Sequence, residues 1–339
     1  MTKPLNRRQI LQITPALIAA PYAASLTGCT SEDPLRPPGV PISPFGANST
    51  AEEVTAGLDL SDKLVLVTGC NSGIGYETMR VLALRGAHVL GAARTAEKAT
   101  AACDSVTGQA TPLVIELTEF NSIVTATDQI RAMGKPLDIL ICNAGIMELP
   151  ELNQVNGIER QFYVNHLGHF VLVNRLLAEV IAAPQGRIVN VSSGQATRNA
   201  PDEGIQFDNL SGEQGYDPAI AYGQSKLANV LFTLELAKRL EGTNATANAL
   251  RPGVIPTNLG RHMPRWKVVA LETVGKLFTK TISQGAATTC YVATAPALSE
   301  TSGYFFDHCN PVFAGGYTED TEMAKELWAT SEQLVAGYI

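Results

Sequence analysis

A tyrosine and a lysine that could act together in proton transfer stand four residues apart in the sequence YGQSK. Tyr222 and Lys226 open a long segment with helical apolar spacing, so both side chains are expected on one helix face. A phenol has a pKa of about 10 in water. A fixed ammonium nearby stabilises the phenolate and lowers that pKa. The pair therefore predicts a tyrosine that serves as an acid or base near neutral pH.

Two adjacent hydroxyls, Ser192 and Ser193, follow the apolar run Arg187 to Val191. The run is short, continuous and rich in aliphatic residues, which is typical of a buried parallel strand. Ligands of parallel sheets bind beyond the carboxyl ends of the strands. A serine at this position can hold a substrate oxygen while the adjacent carbon reacts.

A glycine-rich turn, TGCNSGIG, joins the first apolar run to the first helical segment. Glycines at such a turn allow a tight bend and a close approach of the backbone to a pyrophosphate, which the helix N-terminus attracts. The turn therefore predicts a dinucleotide site. The residues expected to contact the dinucleotide here are Gly69, Asn71, Ser72, Gly73, Ile74 and Gly75.

The residues after the second strand indicate which dinucleotide fits. NAD sites usually place a carboxylate there, whereas this chain has Arg94 after two alanines. A guanidinium can form a bidentate pair with a 2'-phosphate. We predict NADP(H), with NAD(H) and a solvated Arg94 as the alternative. Further contacts are expected from Glu116 and Leu117 beside the adenine and from Asn143, Ala144 and Gly145 under the nicotinamide ribose.

Short apolar runs alternate with longer segments of helical periodicity. The runs are Leu64 to Thr68, His88 to Ala92, Leu113 to Glu116, Asp138 to Cys142, Arg187 to Val191 and Thr246 to Leu250, with a seventh strand near Gly303 to Phe306. The helical segments are Ile74 to Arg85, Ser122 to Met133, Ile158 to Ala182, Ala221 to Leu240 and Gln284 to Ala295. Repeated βα units predict a single α/β domain over residues 59–339, a Rossmann-type doubly wound parallel sheet of about seven strands.

Composition narrows the class of partner. The chain has 339 residues and a net charge of -7, so it has no excess of cations to neutralise nucleic acid. A small molecule is the expected partner. The six cysteines have no paired CxxC spacing. His166 and His169 share a helix face but lack a third ligand with suitable spacing, so no metal site is predicted.

The N-terminus has the layout of an export signal. Arg7 and Arg8 precede an apolar stretch, as in twin-arginine signals, and Cys29 ends a lipoprotein-like cleavage box. Residues 1–29 are predicted to be a signal peptide of a bacterial, periplasmic or membrane-anchored protein that meets the membrane only through a lipid on Cys29. A cytoplasmic enzyme with an uncleaved N-terminus is the alternative. Residues 30–58 are expected to form a proline-rich linker that ends in a short helix, opened by a capping box at Ser49 to Glu52.

Taken in order, TGxxxGIG, NAG, VSS, YxxxK and RPGV resemble the short-chain dehydrogenase/reductase family over about residues 60 to 310. The resemblance implies that Tyr222 donates or accepts the proton and that Lys226 lowers its pKa and binds the nicotinamide ribose. It also implies that Ser193, rather than Ser192, positions the substrate oxygen and that Asn165 holds a water chain to the lysine. The residues implied at the carboxamide end are Pro252, Gly253, Val254 and Thr257. Homo-oligomers are common in this family.

Some features depart from the general family pattern. Cys142 replaces the first asparagine of NNAG, and the stretch between Ser193 and Tyr222 is longer than usual. With SKLAN and SGYFFD, that length resembles the retinol-dehydrogenase-like branch, which implies a small lipophilic alcohol, aldehyde or ketone. Residues 255–283 are the expected substrate lid. The predicted function is NADP(H)-dependent hydride transfer; a noncatalytic nucleotide-binding sensor or scaffold and a nucleotide-sugar epimerase on the same fold are the alternatives.

Overall fold

A computed structural model describes residues 36–255 and 279–339. The predicted signal peptide, the lipid anchor at Cys29, Thr257 and most of the predicted lid lie outside these residues. Export, lipid attachment and oligomerisation therefore stay predictions. Within the described ranges, no helix combines the length and apolar character needed to cross a membrane.

Helices and strands alternate through most of the chain. In order they are α1 (Ala51–Val54), β1 (Leu64–Thr68), α2 (Gly73–Leu84), β2 (His88–Ala93), α3 (Ala96–Asp104), β3 (Gln109–Val114), α4 (Phe120–Ala132), β4 (Ile139–Cys142), β5 (Gln154–Val155), β6 (Ile158–Glu159), α5 (Arg160–Phe162), a π-helical turn (Tyr163–Leu167), α6 (Gly168–Ile181), β7 (Arg187–Val191), α7 (Gln195–Arg198), α8 (Pro218–Arg239), β8 (Thr246–Arg251), α9 (Ile282–Thr294), β9 (Phe305–Asp307), β10 (Asn310–Pro311) and α10 (Thr321–Leu334).

The main sheet has the strand order β10-β9-β8-β7-β4-β1-β2-β3. All of its neighbouring strands are parallel except β9 and β10, which form an antiparallel hairpin. The chain winds outward in one direction through β2 and β3 and in the other through β4, β7 and β8, so the strand order switches between β1 and β4. The prediction of a doubly wound, Rossmann-type α/β sheet is confirmed, with eight strands rather than about seven. Ligands bind at such a switch point, beyond the strand ends.

Two apolar layers cover the two faces of this sheet. Alternate residues of a strand point to opposite faces, and in β1 Leu64 and Leu66 join one layer while Val65 and Val67 join the other. The first layer packs on α4, α6, α8 and α10, and the second on α1, α2, α3 and α9. Burial on both faces explains why β1 is apolar up to its last residue, Thr68, and was predicted from its sequence with correct bounds.

The third strand lies earlier than predicted. It spans Gln109–Val114, whereas the apolar run indicated Leu113 to Glu116. β3 is the edge strand of the sheet, and four of its six side chains are exposed, so burial does not impose an apolar pattern. The apolar residues Ile115 and Leu117 are buried in the segment that follows the strand. An edge position also accommodates Pro112, which cannot donate to a ladder on that side.

The segment predicted to be a linker is partly built into the domain. The Ser43 N–H donates to Asn310 Oδ1 at 3.1 Å, and Asn310 Nδ2 donates to the Phe45 carbonyl at 2.9 Å. The helix α1 begins one residue later than expected, because Thr50 and Glu53 form the capping box. Residues from Ser43 onward therefore belong to the fold, which corrects the expected domain start at residue 59. Two of the backbone groups of this segment, the Ser43 N–H and the Phe45 carbonyl, find their partner on Asn310 of the domain.

Asn310→Ala should measure how much this attachment contributes to stability. The substitution removes the acceptor for the Ser43 N–H and the donor to the Phe45 carbonyl, and Asn310 is buried. We expect the free energy of unfolding in urea to fall by about 2 kcal/mol. Asn121→Ala, at an exposed position on α4, is the matched control. Equal midpoints for the two variants would show that the attachment adds nothing.

Candidate active site

The start of α8 places Tyr222 and Lys226. Asp217 caps the helix, since its carboxylate accepts the N–H groups of Ala219 at 2.8 Å and Ile220 at 2.9 Å, and Pro218 occupies the first helical turn. Tyr222 and Lys226 follow one turn apart, and both side chains are buried. The Lys226 Nζ lies 5.8 Å from the centre of the Tyr222 ring. The two residues are therefore adjacent on the face that packs toward the sheet.

Lys226 is fixed at the end of β7. Its Nζ donates to the Val191 carbonyl at 3.0 Å. Burial lowers the pKa of Lys226 to about 8, because desolvation disfavours the charged form. The ammonium therefore predominates at neutral pH, next to the strand end that carries the two serines.

The two serines have different partners. The Ser192 hydroxyl donates to the Lys226 carbonyl at 2.7 Å and is buried, so it ties β7 to α8. Ser193 instead shares a side-chain hydrogen bond with Tyr222. This is the geometry expected if Ser193 and Tyr222 hold one substrate oxygen between them. Of the pair, the second serine is therefore the one whose side chain contacts Tyr222, and its role toward a substrate stays a prediction.

The pKa of Tyr222 is raised to about 12. Burial is the main cause, the hydrogen bond with Ser193 opposes it, and the Glu148 carboxylate adds to the rise. The direction is opposite to the lowering expected from the lysine. Desolvation of the Tyr222 phenol therefore affects its pKa more than the Lys226 ammonium does, which donates to the Val191 carbonyl. In this state Tyr222 is a phenol that can donate a proton.

Asn165 joins the end of β4 to α8. It lies in the π-helical turn, a feature that often occurs at functional sites. Its Oδ1 accepts the Ile146 N–H at 2.9 Å, and its Nδ2 donates to the Ile146 carbonyl and to the Ser225 hydroxyl, each at 2.9 Å. Gly145 packs closely against Asn165 and Lys226. A Cβ built on Gly145 would lie 3.1 Å from Asn165 Oδ1 and 3.6 Å from Lys226 Nζ. Asn165 therefore ties the segment after β4 to α8, and the water chain stays a prediction.

The glycine turn needs its glycines for two reasons. Gly69 and Gly73 have φ of 72° and 58°, which side chains rarely adopt. Gly75 permits close packing, since a Cβ there would overlap Asn143 Nδ2 and the Gly69 carbonyl oxygen. The Asn143 amide donates to the Thr68 carbonyl at 2.8 Å, so it fixes the turn from the neighbouring strand.

The N-terminus of α2 has no side-chain cap, although α1, α3 and α8 each have one. Ser72 stands at the capping position, and both Asn71 and Ser72 are exposed. The first N–H groups of a helix need acceptors, and a phosphate can supply them. This helix start therefore fits a dinucleotide pyrophosphate.

The other predicted cofactor residues lie along the same sheet edge, with different exposure. Arg94 is exposed directly after β2. Glu116 accepts the Thr118 N–H at 3.2 Å, and the Leu117 side chain is buried against Gly168, so little of Leu117 could reach an adenine. Pro252, Gly253 and Val254 follow β8, with Val254 46% exposed.

Thr68 is a residue of the candidate site for which sequence reasoning predicted no role. Its hydroxyl accepts the N–H groups of Asn143 and Ala144, each at 2.9 Å, and lies 3.0 Å from His169 Nε2. Burial lowers the pKa of His169 to about 4, so its imidazole is neutral. Thr68 therefore couples the turns after β1 and β4. The position of Thr68 at a strand end could be predicted from the sequence, but its long-range contact with His169 could not.

Comparisons with known proteins agree on one family. The short chain dehydrogenase family profile matches residues 63–204. A short-chain dehydrogenase TIC 32 A, chloroplastic, from Brassica napus is 40% identical over 303 residues, covering 86% of this chain and 94% of the relative. Retinol dehydrogenase 14 from Mus musculus is 37% identical over 290 residues, covering 80% and 86%.

Solved structures give the same result. A crystal structure of an uncharacterized protein from Mycobacterium paratuberculosis matches with a TM-score of 0.68 and 33% identity, over 85% of this chain and 97% of the other. A Beutenbergia cavernae protein crystallised with NADP at low occupancy matches with a TM-score of 0.58 and 25% identity, over 73% and 95%.

Proposed function

Because this chain belongs to the short-chain dehydrogenase/reductase family of oxidoreductases, we propose that it transfers hydride between NADP(H) and the carbonyl or alcohol carbon of a small lipophilic substrate. The observation that carries this proposal is the hydrogen bond between Tyr222 and Ser193 next to the buried Lys226. Membership of an oxidoreductase family removes the support for a noncatalytic sensor or scaffold. Nothing in the site favours the epimerase alternative.

The residues present fit a nicotinamide dinucleotide. The uncapped start of α2 would bind the pyrophosphate, and the NAG segment and Lys226 lie along the strand ends where the nicotinamide ribose would be held. NADPH, when bound, supplies the hydride. Arg94 is exposed at the end of β2, where a guanidinium suits a 2'-phosphate.

The chain's own residues supply the proton. In the reducing direction Ser193 and Tyr222 hold the carbonyl oxygen while hydride adds to the carbon. The π electrons of the C=O bond move to that oxygen, which takes the Tyr222 proton and becomes the alcohol. Lys226 is fixed by the Val191 carbonyl and faces the phenolate left on Tyr222. Solvent then returns the proton, and oxidation of an alcohol reverses each step.

Two observations support a lipophilic substrate. Val254 follows the family's PG pair and has 46% of its surface exposed, at the carboxyl edge of the sheet. Retinol dehydrogenases are among the relatives of 37% identity. The test is single-turnover oxidation of NADPH and of NADH with a panel of apolar aldehydes and ketones. We expect faster loss of NADPH than of NADH; consumption of neither would contradict the proposal.

Arg94→Ala should weaken the preference for NADPH. Loss of a charge-assisted contact with the 2'-phosphate should raise the KM for NADPH about tenfold and change the KM for NADH little. Lys98→Ala, which removes a cation from an exposed position four residues along the chain, is the control. Equal changes in both KM values for Arg94→Ala would mean that Arg94 does not read the 2'-phosphate.

A further inference from the structure

Two guanidinium groups border the residue that follows Ser193. Arg198, at the end of α7, donates from its Nε to the Gly194 carbonyl at 3.2 Å. A Cβ built on Gly194 would lie 2.7 Å from Arg198 Nη2 and 3.4 Å from Arg251 Nη1. Both cations therefore reach the loop that holds the substrate oxygen in the proposed function, and neither takes part in the proton transfer.

A third cation comes from the segment before α9. The Lys280 backbone N–H donates to the Val254 carbonyl at 2.9 Å. The Lys280 side chain packs against Gly253, since a Cβ built on Gly253 would lie 3.0 Å from Lys280 Cδ. Its Nζ donates to His308 Nδ1 at 2.7 Å. Lys280 is thus anchored beside the strand end that carries Arg251. We call Arg198, Arg251 and Lys280 the cationic cluster.

Among the described residues, the cationic cluster has more cations than ion-paired carboxylates. Among residues 36–255 and 279–339, the carboxylate that pairs with the cationic cluster is that of Asp307, whose Oδ2 lies 2.5 Å from Arg251 Nη2. Burial lowers the pKa of His308, so its imidazole is neutral at neutral pH and accepts the Lys280 proton donor. Of the described carboxylates, Asp307 is the one within ion-pair distance of these three cations, on a chain whose net charge is -7. An acidic ligand would neutralise the excess.

The backbone beneath the cluster is strained in a way that holds His308 in place. His308 and Cys309 form the two-residue turn between β9 and β10, with φ of 51° and 63°. Such a turn normally selects glycine or asparagine. Strain of this kind concentrates at functional sites. Here it brings His308 against Lys280.

We propose that the cationic cluster binds an anionic group, a carboxylate or a phosphate ester, carried by the substrate a few bonds from its reactive carbonyl. This inference rests on the proposed function and narrows its substrate to an apolar body with an acidic end. The phosphates of the dinucleotide are the other source of an anion with the same chemistry. The experiment therefore follows substrate and cofactor separately.

The test compares 4-carboxybenzaldehyde with its uncharged methyl ester, using NADPH and the full chain. We expect the ratio of kcat/KM for the acid to that for the ester to fall about tenfold in Lys280→Met and in Arg198→Met, each of which removes one charge-assisted contact. Lys325→Met, at an exposed position on α10, is the control and should keep the wild-type ratio. Using variants on two separate elements distinguishes the effect from local misfolding.

An unchanged ratio in both cluster variants would overturn the inference. If the KM for NADPH also rose in these variants, the cluster would be assigned to the cofactor phosphates instead. If neither these two aldehydes nor any member of the apolar panel is reduced with either nucleotide, the proposed function fails. In that case calorimetry with 4-(hydroxymethyl)benzoate decides the inference alone: binding that is weakened about tenfold by Lys280→Met supports it, and absence of binding overturns it.

Discussion

Tyr222→Phe should lower kcat for carbonyl reduction by roughly 10³-fold, because positioned general acids contribute about 10² to 10⁴ to the rate. The substitution removes only the hydroxyl, which shares a hydrogen bond with Ser193, and leaves the buried ring in place. The dissociation constant for NADPH, measured by fluorescence titration, should therefore stay close to that of the wild type. Stopped-flow measurement of NADPH oxidation gives the rate.

Tyr317→Phe is the matched control for this prediction. Its hydroxyl donates to the Asp202 carbonyl at 2.9 Å on the surface, so its loss removes a phenol without touching the site. We expect wild-type kcat for the control. A Tyr222→Phe enzyme that retains more than about a tenth of the wild-type kcat would show that another group supplies the proton, since such a loss is below the usual effect of a general acid.

Gly75→Ala should strongly weaken dinucleotide binding. The added methyl group would overlap Asn143 Nδ2, which donates to the Thr68 carbonyl, and the backbone carbonyl oxygen of Gly69. The start of α2 would have to move away from the turn, and the phosphate-binding N–H groups would move with it. We expect NADPH binding to weaken at least 100-fold, or about 2.7 kcal/mol. The free energy of unfolding should fall by about 1 to 3 kcal/mol.

Gly46→Ala provides the comparison. No atom lies within 4 Å of a Cβ built on Gly46, so the substitution introduces no overlap. Its NADPH titration and urea midpoint should match those of the wild type. Normal NADPH affinity in Gly75→Ala would mean that the turn can relax and that close packing there is not required for binding.

The sequence predicted the elements whose composition is dictated by burial. The strands β1 and β7 were placed with the correct bounds because each of their residues is buried. The helices α3 and α10 were not predicted. α10 carries buried Ala324, Leu327 and Trp328 at helical spacing, so its signal was present, whereas α3 is short and has little apolar content.

The candidate site was predictable as a set of motifs but not as a set of contacts. The glycine turn and Ser193 each follow a strand, and parallel strands end at one edge, so these two motifs were expected to converge. Tyr222 lies instead on α8, and its contact with Ser193 was visible only in the structure. The raised pKa of Tyr222 was not predictable, since it depends on how much water the folded chain excludes. The same holds for the contact of Thr68 with His169, which joins residues 101 positions apart.

The different partners of Ser192 and Ser193 have an evolutionary consequence. Ser192 holds the Lys226 backbone and Ser193 bonds Tyr222, so the proton-transfer groups depend on β7 and α8. The cationic cluster depends instead on α7, the end of β8 and the segment before α9. Mutations in those segments can therefore change which substrate binds without disturbing Tyr222, the proposed proton donor. Proteins that descend from one ancestor can thus come to differ in substrate specificity while they keep the same proton-transfer chemistry.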